Sequence, residues 1–396
     1  MKVGLIVPGF SAHEQDWCIP ALLDYVRVLA AHSDVHVFTL RWPERGGRYP
    51  VFGATVHAMD GRKQMGAKVM DLWLRAFREL AAEHRRAPFD VLHAFWADEP
   101  GWVAAWVGER LRVPVIISLA GGELVGLPEL GYGSQLLRGR GKLIRWGLKR
   151  SEYVTVGSDY LLGLARTHLP VSRWGKLKRA PLGVDTEMFA PGTPPPSPPR
   201  STEGGETPPL APPRNGKGGG VFLNAGSLYP VKGHILLMRA FATMLGASES
   251  RLRIAGDGPL RAELKKLAVR LGIAARVEFM GEINHGQMPD VYRQADVYAQ
   301  ASWHESQGMA ALEAAACGLP VVGTAVGVLP EIGTAVPVGN VQALAEAMCA
   351  ALREEETEGN KGSRGNVETR GRLEAEFSLA AALERFLVLY RALKIV

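Results

Sequence analysis

Cysteine is scarce in this chain: three in 396 residues, Cys18, Cys317 and Cys349, odd in number and without metal-ligand spacing. That excludes a disulfide framework and offers no zinc signature, so all three are read as reduced and structural. Long apolar runs are missing too, since no stretch reaches the roughly 18 residues that a membrane-spanning helix needs. The opening MKVGLIVPGF passes straight into the polar SAHEQD, which argues against a cleavable signal peptide and makes the cytoplasm the expected location. What is there is ordinary for a globular protein, with 47% hydrophobic and 22% charged residues. The length exceeds what one core usually supports, so two domains are expected.

The net charge of +6 is unevenly spread. Between Arg138 and Arg179 stand eleven Lys/Arg residues against Glu152 and Asp159, interleaved with Leu136, Leu137, Leu143, Ile144, Trp146 and Leu148. This basic, amphipathic 138–179 region suits an anionic membrane surface on the cytoplasmic side, or equally a solvated outer helix face with its arginine stems laid flat. Nucleic acid is not expected, because no aromatic platform accompanies the charge.

Residues 191–220 hold ten prolines and seven glycines, with Leu210 and Ala211 as the only other apolar side chains. Such a stretch cannot form a core and reads as a linker or insertion. It leaves an N-terminal domain over 1–190 and a C-terminal domain over 221–375, followed by an amphipathic helix over 376–396 expected to pack back across the N-terminal domain. Each half alternates short runs apolar on both faces with helical stretches. KVGLIVP, VHVFTL, FDVLHAF, VPVIISL and YVTVGS lie in the first; VFLNAGS, LRIAGDG, VEFMGE, DVYAQAS and PVVGTAV lie in the second. The fold class is therefore α/β, two doubly wound parallel sheets, with ligands expected outside the carboxyl ends of the strands.

Two stretches carry chemistry. In AGSLYPVKGH, Lys232 stands in a glycine-flanked loop between a strand and a helix, where an ammonium suits a phosphate. In ESQGMAALEAAACGLPVVG, a helix is expected to start near Gly308 with Ser306 as its cap, leaving the amides of Gln307, Gly308 and Met309 to face an anion. Glu305 precedes that turn and is either a ligand contact or an acid that favours the helix dipole. Glu313 lies roughly 7 to 8 Å beyond Gly308 along the axis, among alanines, and a buried glutamate needs a partner.

Taken together, AGSLYPVKG, IAGDGPL, VEFMGEI, ADVYAQASWHESQGMAALEAAACGLPVVG and GVLPEIG resemble, in order and spacing, the donor domain of the family 4 glycosyltransferases, which have the GT-B fold. PLGVDTEMF and FDVLHAF extend the resemblance over nearly the whole chain. It implies retaining transfer of a sugar from a UDP- or GDP-sugar across a cleft between two Rossmann-like domains, to a glycan, lipid or small-molecule acceptor. It gives Glu305 and Lys232 catalytic roles, Glu305 at the transferred sugar and Lys232 at the leaving diphosphate. Donor contacts fall to Ser227, Lys232, Gly256, Glu282, Glu305, Gln307, Gly308 and Met309, and Glu313 holds the ribose hydroxyls. Acceptor-side candidates are Gly9, Phe10, His13, Glu14, Gly121 and Glu123. No Asp-x-Asp pair occurs, and neither a metal nor any other cofactor is expected. Departures fall at Ser227, where the family often has arginine, at Gln307, where phenylalanine is frequent, and at Ala120, where a histidine is usual. The rival to an enzyme with altered donor or acceptor is a non-catalytic nucleotide-sugar-binding or scaffold protein.

Overall fold

The computed structural model describes residues 1–64, 66–192, 219–245, 249–357 and 367–394. Apart from residues 191, 192, 219 and 220, the segment expected as a linker lies outside the described residues. The chain divides into two units, Met1–Val184 with Ala375–Val396, and Asp185–Glu374.

The first unit is built on eight strands, β1 (Lys2–Gly9), β2 (Asp34–Trp42), β3 (Gly46–Val51), β4 (Ala54–Met59), β5 (Val91–Phe95), β6 (Val115–Leu119), β7 (Tyr153–Val156) and β8 (Leu177–Arg179). Their order is β3-β4-β2-β1-β5-β6-β7-β8. All neighbours are parallel except β3, which runs antiparallel to β4. Alternate residues of β1 serve two cores. Val3, Leu5 and Val7 pack with Leu22, Val26 and Phe386, whereas Ile6 packs with Leu72, Leu80 and Val103 on the other face. Burial on both faces is why these strands read as unbroken apolar runs. The β3–β4 hairpin was not foreseen; its turn places Phe52 at φ 45° and Gly53 at φ 80°.

The C-terminal helix Leu379–Lys394 belongs to this first unit and lies on the helix Pro20–Ala30. Its Tyr390 hydroxyl meets the Tyr25 hydroxyl at 2.7 Å and His93 Nδ1 at 2.6 Å. His93 Nε2 continues the chain to Ser118 Oγ at 2.7 Å. All the members are buried, as such a network requires.

A second buried cluster sits beneath the sheet edge. Lys2 Nζ donates to Glu83 Oε1 at 2.9 Å, Arg48 and Arg86 reach Glu83 Oε2 at 3.2 and 3.1 Å, and His36 Nδ1 lies 3.0 Å from His57 Nε2. Burial would raise the Glu83 carboxyl, but the Lys2 bond and the His36, Lys2 and Arg48 charges hold it down at about 2. Among the described residues, His36, His57 and Glu83 are close enough together to share a metal ion. The cations already bonded to Glu83 make this an ion-pair network instead, because they would oppose a further positive charge.

The second unit contains β9 (Val221–Ala225), β10 (Arg251–Ala255), β11 (Val277–Gly281), β12 (Val297–Gln300), β13 (Val321–Thr324) and β14 (Thr334–Val336). They form one parallel sheet in the order β11-β10-β9-β12-β13-β14. Residues 185–192 go with this unit: Arg293 donates to the carbonyls of Met188 and Ala190.

The buried histidines set an acid limit on stability. Burial keeps His93 neutral down to about 3, and burial with the nearby His36 and Arg48 charges does the same for His57 down to about 4, against 6.5 in an unfolded chain. Below pH 6.5 the unfolded state therefore binds protons that the folded state refuses, and stability present above that pH is lost as pH falls toward 3. Melting temperature measured in steps from pH 7.5 to 4 is expected to fall from about pH 6.5 downward. A flat curve to pH 5 would contradict this account.

Candidate active site

In the second unit the strand order reverses between β9 and β12, the point where open parallel sheets place ligands. Asn224 Nδ2 donates to Ala299 O at 2.8 Å and locks these two strands near their carboxyl ends. A small pocket opens there, walled by Ala225, Lys232, Ser302, Glu305, Gly308 and Met309. Lys232 Nζ lies 2.7 Å from Glu305 Oε1, with the lysine 31% and the glutamate 12% exposed. Ser302 Oγ donates to the same oxygen at 2.8 Å. The pocket thus presents a cation and an oriented carboxylate side by side.

Each is held by local geometry. Lys232 ends the short turn Pro230–Lys232, and Gly233 follows at φ 67°, where a Cβ would stand 1.9 Å from Ala301 O. Only glycine fits that approach and that dihedral together. The helix His234–Leu245 starts immediately after.

The helix expected near Gly308 runs over Met309–Ala316 and corrects one detail. Its cap is Gly308 itself at φ 97°, with no side-chain cap bond, and not Ser306. A left-handed residue turns the chain into the helix without help from a hydroxyl. The Ala311 amide bonds back to Gly308 O at 3.1 Å, while the amides of Met309 and Ala310 have no partner within the helix. Gln307 is 8% exposed, and its carbonyl accepts the Val328 amide at 2.7 Å.

Glu313 is half-buried rather than buried, and it already has a partner that the sequence did not suggest: Tyr292 donates to Glu313 Oε2 at 2.8 Å. Burial and the Glu313 charge push the Tyr292 hydroxyl well above its usual range, so it stays a donor. Ser227 is exposed on the loop after β9, and the Gly256 amide donates to Gly281 O at 2.7 Å. Glu282 is exposed and is not among the residues that line the pocket.

The first-unit candidates separate into different environments. Phe10 is 1% exposed and packs in the core with Leu22 and Tyr25, and Gly9 is buried against Trp42. Glu123, 1% exposed, spends its carboxylate on the amides of Ala97, Ala120 and Gly121. It braces a loop, so Phe10 and Glu123 are corrected from acceptor contacts to interior residues. Gly121 is partly exposed, and His13 and Glu14 are exposed, with Glu14 Oε1 accepting the Phe52 amide at 3.3 Å. Ser302 and Tyr292 are the site residues that sequence reasoning missed. Ser302 stands three residues before Glu305 and could have been weighed as its neighbour.

Gly233→Ala is expected to lower stability by at least about 1–3 kcal/mol, the cost of forcing a side chain into the left-handed region, with the carbonyl clash added. Chemical denaturation measures it, and a change below about 0.5 kcal/mol would refute the tight fit.

Comparison with known proteins follows the same division. Residues 21–188 match the family described as Glycosyltransferase Family 4, and residues 211–366 match Glycosyl transferases group 1. The chain is 25% identical over 295 residues to N-acetyl-alpha-D-glucosaminyl L-malate synthase of Bacillus anthracis, covering 72% of this chain and 71% of that one. It is 32% identical over 270 residues to D-inositol 3-phosphate glycosyltransferase of Actinosynnema mirum, covering 63% and 60%. Among solved structures, sucrose-phosphate synthase of Thermosynechococcus elongatus superposes with a TM-score of 0.74 at 22% identity, covering 99% of this chain and 98% of that one. HepE of Anabaena, in complex with UDP and glucose, superposes with a TM-score of 0.71 at 18% identity, covering 99% and 100%. With both halves matched and the parallel-sheet architecture shared, the chain belongs to the family 4, group 1 glycosyltransferases of the GT-B fold.

Proposed function

We propose that the protein transfers a sugar, with retention, from a nucleotide-diphosphate sugar to an acceptor hydroxyl. The observation that carries this reading is the Lys232–Glu305 pair at the mouth of the first turn of Met309–Ala316. In the transfer, the bond between the anomeric carbon and the phosphate oxygen breaks, the acceptor oxygen bonds to that carbon on the same face and its proton passes to the departing diphosphate; on the way, negative charge grows on the diphosphate and positive charge on the sugar ring. Lys232 and the amides at Gly308 and Met309 favour the first, and the Glu305 carboxylate favours the second. In this reading Glu313, whose Oε2 accepts from Tyr292, takes the ribose hydroxyls. The UDP in the HepE complex supports a uridine nucleotide as the first donor to try.

The test follows nucleotide release from a panel of UDP- and GDP-sugars, with acceptors that include D-inositol 3-phosphate and L-malate, named for the two relatives. Glu305→Gln is expected to lower kcat by about a hundredfold or more, with nucleotide affinity little changed. Glu313→Gln is expected to weaken nucleotide affinity roughly tenfold, the loss of one charge-assisted hydrogen bond. Nucleotide binding without turnover on any acceptor would favour a binding protein, and wild-type behaviour of both variants would remove these residues from the site.

A second reading concerns where the acceptor lies. Among the described residues no helix is long and apolar enough to cross a membrane. The helix Arg140–Arg150 and its approach nevertheless expose Leu136, Leu137 and Leu143, at 42%, 50% and 37%, beside Arg138, Lys142, Arg145 and Lys149. Arg173 and Arg179 drop out of the expected basic surface: one bonds to the Leu148 and Ser151 carbonyls, the other to Asp159 and Glu376. The remaining mixture of exposed leucine and free cations supports docking on anionic lipid. In flotation with vesicles, binding is expected to rise with phosphatidylserine content and to drop in Leu136→Ser/Leu137→Ser; binding indifferent to lipid charge would reject it.

A further inference from the structure

A pocket in the first unit plays no part in the transfer reading. The edge strand β3 opens with Gly46 and Gly47, paired with Met59 and Ala58 of β4. A side chain at Gly47 would meet nothing within 4 Å. Between this bare edge and the helix Val69–Arg86 lies a pocket of about 400 Å³, a size at which small-molecule sites occur.

Its lining carries three guanidinium groups against one carboxylate. Arg48 enters from β3, Arg75 and Arg78 from the helix, and His57 from β4, with Glu79 as the lining carboxylate. Arg48 is shared with Glu83. Arg75 and Arg78, three apart on one helix face, make no hydrogen bond or ion pair among the described residues. Glu79 Oε2 lies 3.9 Å from His57 Nδ1, but His57 is neutral, so the Glu79 carboxylate offsets one guanidinium and leaves a net positive charge in the lining. Paired guanidinium forks fit tetrahedral phosphate oxygens better than isolated point charges do. A half-open volume of about 400 Å³ is of a size for one small molecule.

We propose that this pocket binds a small phosphomonoester, its phosphate held by Arg75 and Arg78 with help from Arg48, and its organic part lying along the Gly46–Gly47 backbone. The site is separate from Lys232 and Glu305 and does not rest on their roles.

The probe is inorganic phosphate, titrated into the full chain by thermal shift and calorimetry at an ionic strength fixed with sodium chloride. Lys232→Ala is run in parallel, because the donor pocket can also take phosphate. Saturable binding is expected in the wild type and in Lys232→Ala, weakened at least about tenfold in Arg75→Gln/Arg78→Gln. Both arginines project from the helix without partners, so the double variant is expected to melt like the wild type without phosphate. Binding unchanged in the double variant, lost in Lys232→Ala, or matched by chloride would overturn the proposal. A panel of sugar phosphates then identifies the organic part.

Discussion

Lys232 and Glu305 are 73 residues apart in sequence and 2.7 Å apart in space, and the adjacency of β9 and β12 is what brings them together. Strands consecutive in sequence run outward from β9 on one side, and the chain must return to lay β12 on the other. At that reversal the loops leaving two neighbouring strands diverge and leave a crevice. The cross-strand bond from Asn224 to Ala299 holds the crevice shut at its base, and Gly233 against Ala301 holds it at its rim. Lys232, Ser302, Glu305 and the start of the Met309–Ala316 helix are consequences of that one pairing.

Apart from β4, whose Thr55 and His57 interrupt its apolar run, the strands that pass through the core were legible in the sequence because burial on both faces demands apolar residues throughout. β3 was not, because an edge strand carrying Gly46, Gly47 and Pro50 lacks that signature. β8 and β14 have only three residues each, too few for any period to show. The Phe52–Gly53 turn was hidden by a first residue that seldom takes a positive φ.

The site shows the same division. Lys232 before Gly233 and Glu305 before a helix, which meet in one pocket, stood out in the sequence by their local setting. What Glu313 touches did not, since Tyr292 lies on another helix 21 residues away. The Ser306 cap failed because a hydroxyl before a helix is a statistical signal, whereas here the chain enters the helix through Gly308 in the left-handed region, with no side-chain cap bond. Phe10 and Glu123 were misjudged because a loop after a parallel strand can fold inward as readily as outward. Glu123 has amides within reach to satisfy it there.

The Tyr25–Tyr390 bond joins residues 365 apart, and that separation has a consequence for biosynthesis. The second unit is one continuous segment, complete as soon as residue 374 clears the ribosome. The first unit starts earlier yet finishes later: until the last helix emerges, the Tyr25 hydroxyl and the His93 ring have no Tyr390, and the side of Pro20–Ala30 that meets that helix has no cover. The half made first is therefore sealed last. A nascent chain of this protein carries an open hydrophobic surface through almost its entire synthesis, a demand on chaperones that a chain ending at residue 374 would never escape.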